Sequence, residues 1–264
     1  MSTIQVAVNG AAGRMGRRLV SIISADKELE LSAALEAESH DNIGVDAGEL
    51  SGIGRIGVLV SSRLERRVDV LIDFSTPQAT EKVVMSCVEF GIPLVFATTG
   101  ATPEQMNLIE KASQQIPVLT SPSMSMMVNL AMNLCKTAAK TLAGKDVDVE
   151  IVESHHRFKA DSPSGTALKF GRIISDEMKL DKPVYGREGK TSVRHRNEIG
   201  FHSIRIGDEA GTHSILFGLL GEMLEISVKA TSRDCYALGA IAAAKFIYNK
   251  PAGIYNMNEL LFSQ

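Results

Sequence analysis

The chain has 264 residues, 44% of them hydrophobic and 22% charged, with a formal net charge of −3. That size and balance fit one large or two modest domains with an ordinary buried core, and the small negative charge argues against broad nucleic-acid binding. Tryptophan is absent and aromatic residues make up 5%, so the core must be aliphatic and rich in methionine.

The three cysteines, Cys87, Cys135 and Cys235, lie far apart and without paired spacing. Neither a disulfide framework nor a metal site is expected from them, and they read as small buried hydrophobes. Ile4–Val8 already reads as a strand, which leaves no room for a signal peptide. The longest apolar run, near Tyr236–Ala244, stops at Lys245 and is too short for a membrane span. The expectation is a soluble, cytoplasmic protein with no membrane and no nucleic-acid partner.

Short apolar runs alternate with helical patterns over the first part of the chain, as a parallel α/β sheet requires. Ile4–Val8 is a strand, and Arg14–Ser24 places Met15, Leu19, Ile22 and Ile23 on one helical face. Leu29–Leu35 is a second strand, followed by a connection over 38–57 rich in Gly and Asp. Val68–Phe74 is a strand that ends in Ser75-Thr76-Pro77, a helix-start signal. Leu94–Ala97 is the next strand, Thr102-Pro103-Glu104 opens a helix, and Pro117–Thr120 is short and extended.

The pattern then changes. Met126–Leu142 reads as one long helix, Val147–Val152 as a strand and Ser164–Met178 as a helix. Ile199–Arg205, Thr212–Leu219 and Glu222–Ala230 are three strand-like runs in succession, and short turns between consecutive strands predict antiparallel pairing. Asp234–Asn249 is a final Ala-rich helix, expected to return to the first domain. The expected domains are therefore 1–125 with 235–264, and 126–234.

The densest chemistry lies in Glu153-Ser154-His155-His156-Arg157-Phe158-Lys159-Ala160-Asp161-Ser162-Pro163-Ser164-Gly165-Thr166-Ala167. Two histidines, an arginine and a lysine fall within five residues. Cations held this close repel one another unless an anion offsets them. A helix opening Ser164-Gly165-Thr166 offers backbone N–H groups and a hydroxyl to a carboxylate or phosphate. The string suits a small, multiply charged acid with proton donors at hand. A solvated basic turn would give the same string, and the string by itself does not separate the two.

A second motif joins the first strand to the first helix. In Val8-Asn9-Gly10-Ala11-Ala12-Gly13-Arg14-Met15-Gly16 the glycines are spaced G-x-x-G-x-x-G. Gly10 would permit a tight turn, Gly13 would let backbone approach a pyrophosphate, and Gly16 would let the helix pack close to the sheet. A strand–helix turn without a ligand is the plainer reading. Glu36 ends the second strand, 26 residues after Gly10, where an acid can bind adenosine ribose hydroxyls. It would repel a 2′-phosphate, and Ala37 supplies no countercharge, which favours NADH. Asp73–Pro77 and Phe96–Gly100 close two later strands and would flank the same crevice.

With these blocks in view, together with Arg187-Glu188-Gly189 and Ile199-Gly200-Phe201, the chain resembles the bacterial dihydrodipicolinate reductase (4-hydroxy-tetrahydrodipicolinate reductase) family over essentially its whole length. The resemblance implies an N-terminal Rossmann dinucleotide-binding domain completed by the C-terminal helix. It also implies a central α+β domain with a mostly antiparallel sheet, serving substrate binding and assembly into a homotetramer. His155 and Lys159 are implied in proton transfer. His156, Ser164, Gly165, Thr166 and Arg233 are implied in binding a small dicarboxylate. Gly10, Ala11, Ala12, Gly13, Arg14, Met15, Glu36, Ala37, Ala97, Thr98, Thr99, Ser121, Pro122, Ser123 and Met124 would line the cofactor, with NADH preferred and NADPH admitted. No metal is implied.

Three positions depart from the family pattern. Ala37 stands where an arginine often serves NADP. Ala97 replaces the first glycine of Gly-Thr-Thr-Gly, and Ser123-Met124-Ser125 replaces Asn-Phe-Ser, which exchanges an aromatic neighbour of the nicotinamide for a methionine. Two other classes stay open on the residues alone. One is a different two-domain nicotinamide oxidoreductase acting on a small acid, sugar or semialdehyde, and the other is a catalytically silent NAD-binding regulator.

Overall fold

The computed structural model describes residues 3–190 and 192–262. In chain order the first elements are β1 (Ile4–Asn9), α1 (Arg14–Ala25), β2 (Leu29–Leu35), α2 (Ala47–Leu50), β3 (Val60–Ser61) and β4 (Val70–Asp73). A short 3₁₀ turn at Pro77–Ala79 leads into α3 (Thr80–Phe90), β5 (Leu94–Phe96), α4 (Pro103–Ala112) and β6 (Pro117–Thr120). Then come α5 (Met126–Leu142), β7 (Asp148–His155), α6 (Gly165–Met178), β8 (Lys182–Tyr185), β9 (Glu198–Arg205), β10 (Gly211–Leu219) and β11 (Glu222–Ala230). The chain closes with α7 (Asp234–Ile247), β12 (Gly253–Tyr255) and α8 (Met257–Phe262). It divides into two compact units, Met1–Met126 with Asp234–Gln264, and Met127–Arg233.

The first unit is built on a seven-stranded sheet in the order β12-β6-β5-β4-β1-β2-β3. Every pairing in it is parallel. Its strands are buried on both faces, so they read as continuous apolar runs instead of alternating ones; all four residues of β4 are buried. From β1 the chain winds outward to β3, then crosses to β4 and winds the other way. This reversal opens a crevice at the carboxyl ends of β1 and β4, where doubly wound sheets bind ligands. Helix α7 belongs to this unit and buries Ala237, Ala240, Ala243 and Ala244 in it. Ion pairs hold it at both ends: Arg18 grips Asp234 (2.6 Å), and Lys245 reaches Asp26 (2.8 Å) and Glu28 (2.5 Å).

The second unit carries a five-stranded sheet in the order β11-β10-β7-β9-β8. The expectation of a mostly antiparallel sheet is corrected here. β10 runs antiparallel to β11 and β7, but β7 and β8 both run parallel to β9, so the sheet is mixed. The cause is the connection over 206–210. It carries the chain from β9 across the end of β7 to β10, so β7 lies between two strands that are consecutive in sequence. Backbone bonds pin this arch to the strand beneath it: Ile206 N–H to His155 O (2.9 Å), His156 N–H to Glu209 O (2.8 Å) and Arg157 N–H to Gly207 O (3.1 Å). A short link therefore does not make a hairpin here. The core of this unit gathers Val149, Ile151, Phe170, Ile174, Phe201, Ile215 and Phe217.

Among the described residues no helix is long and apolar enough to cross a membrane.

Candidate active site

The glycine turn sits at the carboxyl end of β1. Gly10 adopts φ +78°, and a Cβ there would lie 2.5 Å from the Phe74 carbonyl oxygen, so the turn and the β4 loop approach in a way only glycine allows. A Cβ at Gly16 would run into the Gly10 carbonyl, and its absence lets α1 start directly against the turn. No side chain caps the first turn of α1. Its N–H groups and the open turn fit the pyrophosphate of a dinucleotide. Glu36 lies at the end of β2, accepting from Ala12 N–H and Ala37 N–H (both 3.1 Å), and its oxygens keep lone pairs for ribose hydroxyls.

Three strand ends are tied together beneath this crevice. Asp73 is fully buried and accepts from Asn9 Nδ2 (2.8 Å), Ser75 Oγ (2.6 Å) and Thr98 Oγ1 (2.7 Å). Thr98 in turn accepts from Ser75 N–H (3.0 Å). Burial pushes the Asp73 carboxyl above its ordinary range, against the pull of those hydrogen bonds. Thr102 caps α4 through a capping box with Gln105, whereas Ser75 spends its hydroxyl on Asp73 instead of capping the helix that follows.

A cleft of about 320 Å³ opens beside Glu36 and Ala37, lined also by His40, Arg63, Ser75 and Lys82. Arg63 and Lys82 were not singled out from the sequence: Arg63 lies in a loop before β4 that shows no motif, and Lys82, on α3, reaches this loop by donating to Ser62 O (2.8 Å). Of the arginines on α1, Arg18 is committed to Asp234, and Arg17 donates through Nε to Ala12 O (2.8 Å). Ala97 and Met124 are buried in the larger core of this unit, at 8% and 2% exposure, so the bulk of Met124 serves packing. Ser121 Oγ donates to Ser123 O (2.8 Å), and Ser123 Oγ accepts from Ser125 N–H (3.2 Å), which fixes the turn after β6.

In the second unit β7 ends at His155 and α6 begins one loop later. The strand runs three residues beyond its expected end because its inward face continues Val149, Ile151, Glu153, His155, with the charged pair buried. Glu153 is 1% exposed. Its Oε2 lies 2.5 Å from His155 Nδ1, its Oε1 accepts from Ser164 N–H (3.2 Å), and Arg205 grips both oxygens (3.0 and 2.8 Å). Ser164 caps α6 by accepting from Ala167 N–H (3.2 Å), and its Oγ also meets His213 Nε2 (3.2 Å). Gly165 and Thr166 form the first helical turn. Lys159 pairs with Asp161 (2.8 Å). The ring of His156 packs near Phe158, and its buried Nδ1 has no hydrogen-bond partner among the described residues. Arg233, in the link that follows β11 in the sequence, is half-buried, and it is not among the groups bonded to Glu153 in the described residues.

The electrostatics follow from burial and from Arg205. Burial raises Glu153, but hydrogen bonds led by Arg205 outweigh it and hold the carboxyl at about 2. Burial lowers His155, the Glu153 carboxylate opposes this, and the charges of Lys159 and Arg205 add to the lowering; the net direction is down. Burial, then the nearby His155, brings His213 from the usual 6.5 to about 4. Arg205 and His213 were missed in the sequence because they reach Glu153 and His155 through strand pairing, and Glu153, two residues before His155 on the same strand, was given no role. β10 sets His213 opposite Glu153, and β9 sets Arg205 opposite His155. All three cysteines are free; Cys87 and Cys135 are buried, and Cys235 is half-buried.

A doubly wound nucleotide-type sheet, an open glycine turn and a second unit with a buried acid–imidazole pair at a helix start define the class, a two-unit nicotinamide-dependent oxidoreductase. The family described as dihydrodipicolinate reductase, N-terminus, matches residues 4–124, and its C-terminal counterpart matches 127–261. A 4-hydroxy-tetrahydrodipicolinate reductase of Rhodopirellula baltica is 46% identical over 98% of this chain and 96% of its own length. One of Alkalilimnicola ehrlichii is 43% identical over 98% and 99%. The chain belongs to the dihydrodipicolinate reductase family. A dipicolinate-bound dihydrodipicolinate reductase from Paenisporosarcina shares the fold at TM-score 0.76 with 24% identity, over 97% of this chain and 99% of that one. A probable dehydrogenase from Thermotoga maritima shares it at TM-score 0.59 with 11% identity, over 97% and 92%.

Proposed function

We infer that the chain reduces 4-hydroxy-tetrahydrodipicolinate to tetrahydrodipicolinate, a step of diaminopimelate and lysine biosynthesis, at the expense of a reduced nicotinamide nucleotide. The observation that carries this reading is the cluster at the start of α6, where Ser164, Glu153, His155 and His213 are joined by direct contacts. The first unit holds the cofactor through Gly10–Met15, Glu36, Ala37, Ala97–Thr99 and Ser121–Met124. The second unit holds the substrate, a ring with two carboxylates.

Loss of the 4-hydroxyl as water leaves a conjugated imine, which takes up a hydride at C4 and a proton at C3. The reduced nicotinamide, when bound, supplies the hydride. The N–H groups of Gly165 and Thr166 and the Thr166 hydroxyl receive one carboxylate at the helix N-terminus. His156, Ser164 and Arg233 complete the cradle. Lys159, which pairs with Asp161, exchanges that carboxylate for the substrate and offsets its charge. Burial biases His155 toward its neutral form, so the Lys159 ammonium is the better donor of the C3 proton and His155 the acceptor that orients and relays.

NADH is the preferred cofactor, because Glu36 faces the ribose position and Ala37 offers no cation. NADPH is used less well, with Arg63 and His40 in the cleft as the groups that meet its phosphate. A homotetramer is proposed on the strength of Ile204, Met223 and Leu224, which strands β9 and β11 leave 46%, 64% and 47% exposed; sedimentation velocity reads the assembly directly. The reaction is tested by supplying fresh substrate with NADH and NADPH in parallel and following cofactor oxidation.

A further inference from the structure

The segment from His156 to Pro163 is closed on a single buried charge. At its start, His155 Nδ1 meets Glu153 Oε2; at its end, Ser164 N–H donates to Glu153 Oε1. Between them, Arg205 donates to Asp161 O (2.6 Å) while holding both Glu153 oxygens. The two ends of the loop and its middle are thus fixed by one acid and its guanidinium.

We propose that Glu153 is the positioning residue of the proton-transfer site, setting the ring orientation and tautomer of His155 and, through Ser164, the place of the α6 N-terminus beside it. The proposal rests on the reading of His155 and the α6 start as the reaction site. An ionised carboxylate can only accept hydrogen bonds, so each group it touches must donate. Nδ1 of His155 therefore carries the proton, and Nε2 keeps its lone pair. Nε2 faces the backbone of Gly211 at φ +149°, where a Cβ would stand 2.9 Å away, so the glycine keeps the space before that nitrogen open.

Among the described residues, Glu153 Oε2 is the recorded partner of His155 Nδ1. His213 approaches edge-on from β10, with ring centroids 5.2 Å apart. Arg205 from β9 and Lys159 from the loop are both cations. Arg205 also keeps Glu153 ionised despite its burial, which is what fixes the acceptor role. Arg205 is thus part of the same device and acts on the imidazole through Glu153.

The test is imidazole ¹⁵N NMR of the full chain without ligands, with the His155 signals assigned by their loss in His155→Asn. At neutral pH wild type is expected to show His155 neutral, protonated on Nδ1. Glu153→Gln is expected to move the ring toward the Nε2–H form, to lower kcat by on the order of 10²-fold or more, as losing an orienting carboxylate does in related proton-transfer sites, and to shift the pH limb of kcat. NADH binding is expected to stay unchanged, and Glu153→Asp to recover part of the loss. A wild-type His155 protonated on Nε2 overturns the proposal, and that spectrum decides it even if the variant fails to fold. A Glu153→Gln enzyme with kcat within about threefold of wild type and an unmoved pH profile overturns it as well. Absence of reductase activity in wild type would remove the functional reading, while the tautomer measurement would still decide the role of Glu153.

Discussion

The Thr98 hydroxyl donates to Asp73 across the ends of two neighbouring strands, at 2.7 Å, where Asp73 is fully buried. With Asn9 and Ser75 it completes the shell of a carboxyl that burial would otherwise drive to its neutral form. Thr98→Val keeps the shape and removes one donor. It should destabilise the protein by about 1–3 kcal/mol, the cost of an under-bonded buried polar group. It should also weaken dinucleotide binding, because the loop after β4 packs against the glycine turn. A urea midpoint and an NADH titration equal to wild type would refute both parts.

His213 makes the second unit sensitive to mild acid. Its folded pKa, about 4, lies below the ordinary 6.5, so the unfolded chain binds the proton first. The stability it protects is complete above pH 6.5 and is lost as pH falls toward 4. Over that window the loss is at most about 3 kcal/mol. Glu153 and Glu150, both held at about 2, add their own losses only below the usual 4.5. Urea unfolding between pH 4 and 7 should show a flatter pH dependence for His213→Asn than for wild type, and identical slopes would contradict the assignment.

Lys159 is expected to act in turnover and not in cofactor binding. Lys159→Ala should lower kcat by roughly 10²–10⁴-fold, the range for a positioned proton donor, with the NADH dissociation constant unchanged. Steady-state kinetics paired with calorimetry separate the two. Turnover within about threefold of wild type removes Lys159 from the mechanism.

Cofactor choice should follow two side chains. Ala37→Arg places a guanidinium beside Glu36, and is expected to raise kcat/KM for NADPH by about tenfold, one charge-assisted hydrogen bond's worth, with little effect on NADH. Arg63→Ala is expected to lower kcat/KM for NADPH selectively, since Arg63 lines the same cleft. A wild type that favours NADPH would contradict the proposed preference for NADH.

Much of the fold was legible because its helices and longer strands carry clear periodicity. Leu29–Leu35, Pro117–Thr120, Met126–Leu142 and Glu222–Ala230 have the same limits in the sequence reading and in the structure. The short elements α2, β3, β8, β12 and α8 were not legible, being two to six residues long and too brief for any period. The order of the second sheet was misread because a connection's length does not say which strand it steps over. At the site, residues close in sequence stood out, notably His155 through Thr166 and Gly10 through Gly16. Their buried partners did not. Arg205 lies 52 residues from Glu153, so only sheet register reveals it; Asp73 was placed at the crevice, but its bond to Asn9, 64 residues away, was not. One signal was available: Glu153 and His155 continue the inward alternation begun by Val149 and Ile151, which marks both as buried and in need of partners.

The central claim, reduction of a cyclic dicarboxylate by a nicotinamide nucleotide, is tested most directly by adding purified protein to fresh 4-hydroxy-tetrahydrodipicolinate and following nicotinamide absorbance, with NADH and NADPH in separate cuvettes. Cofactor oxidation that requires the substrate, runs faster with NADH and is inhibited by pyridine-2,6-dicarboxylate is the predicted result. No substrate-dependent oxidation of either cofactor would contradict the account.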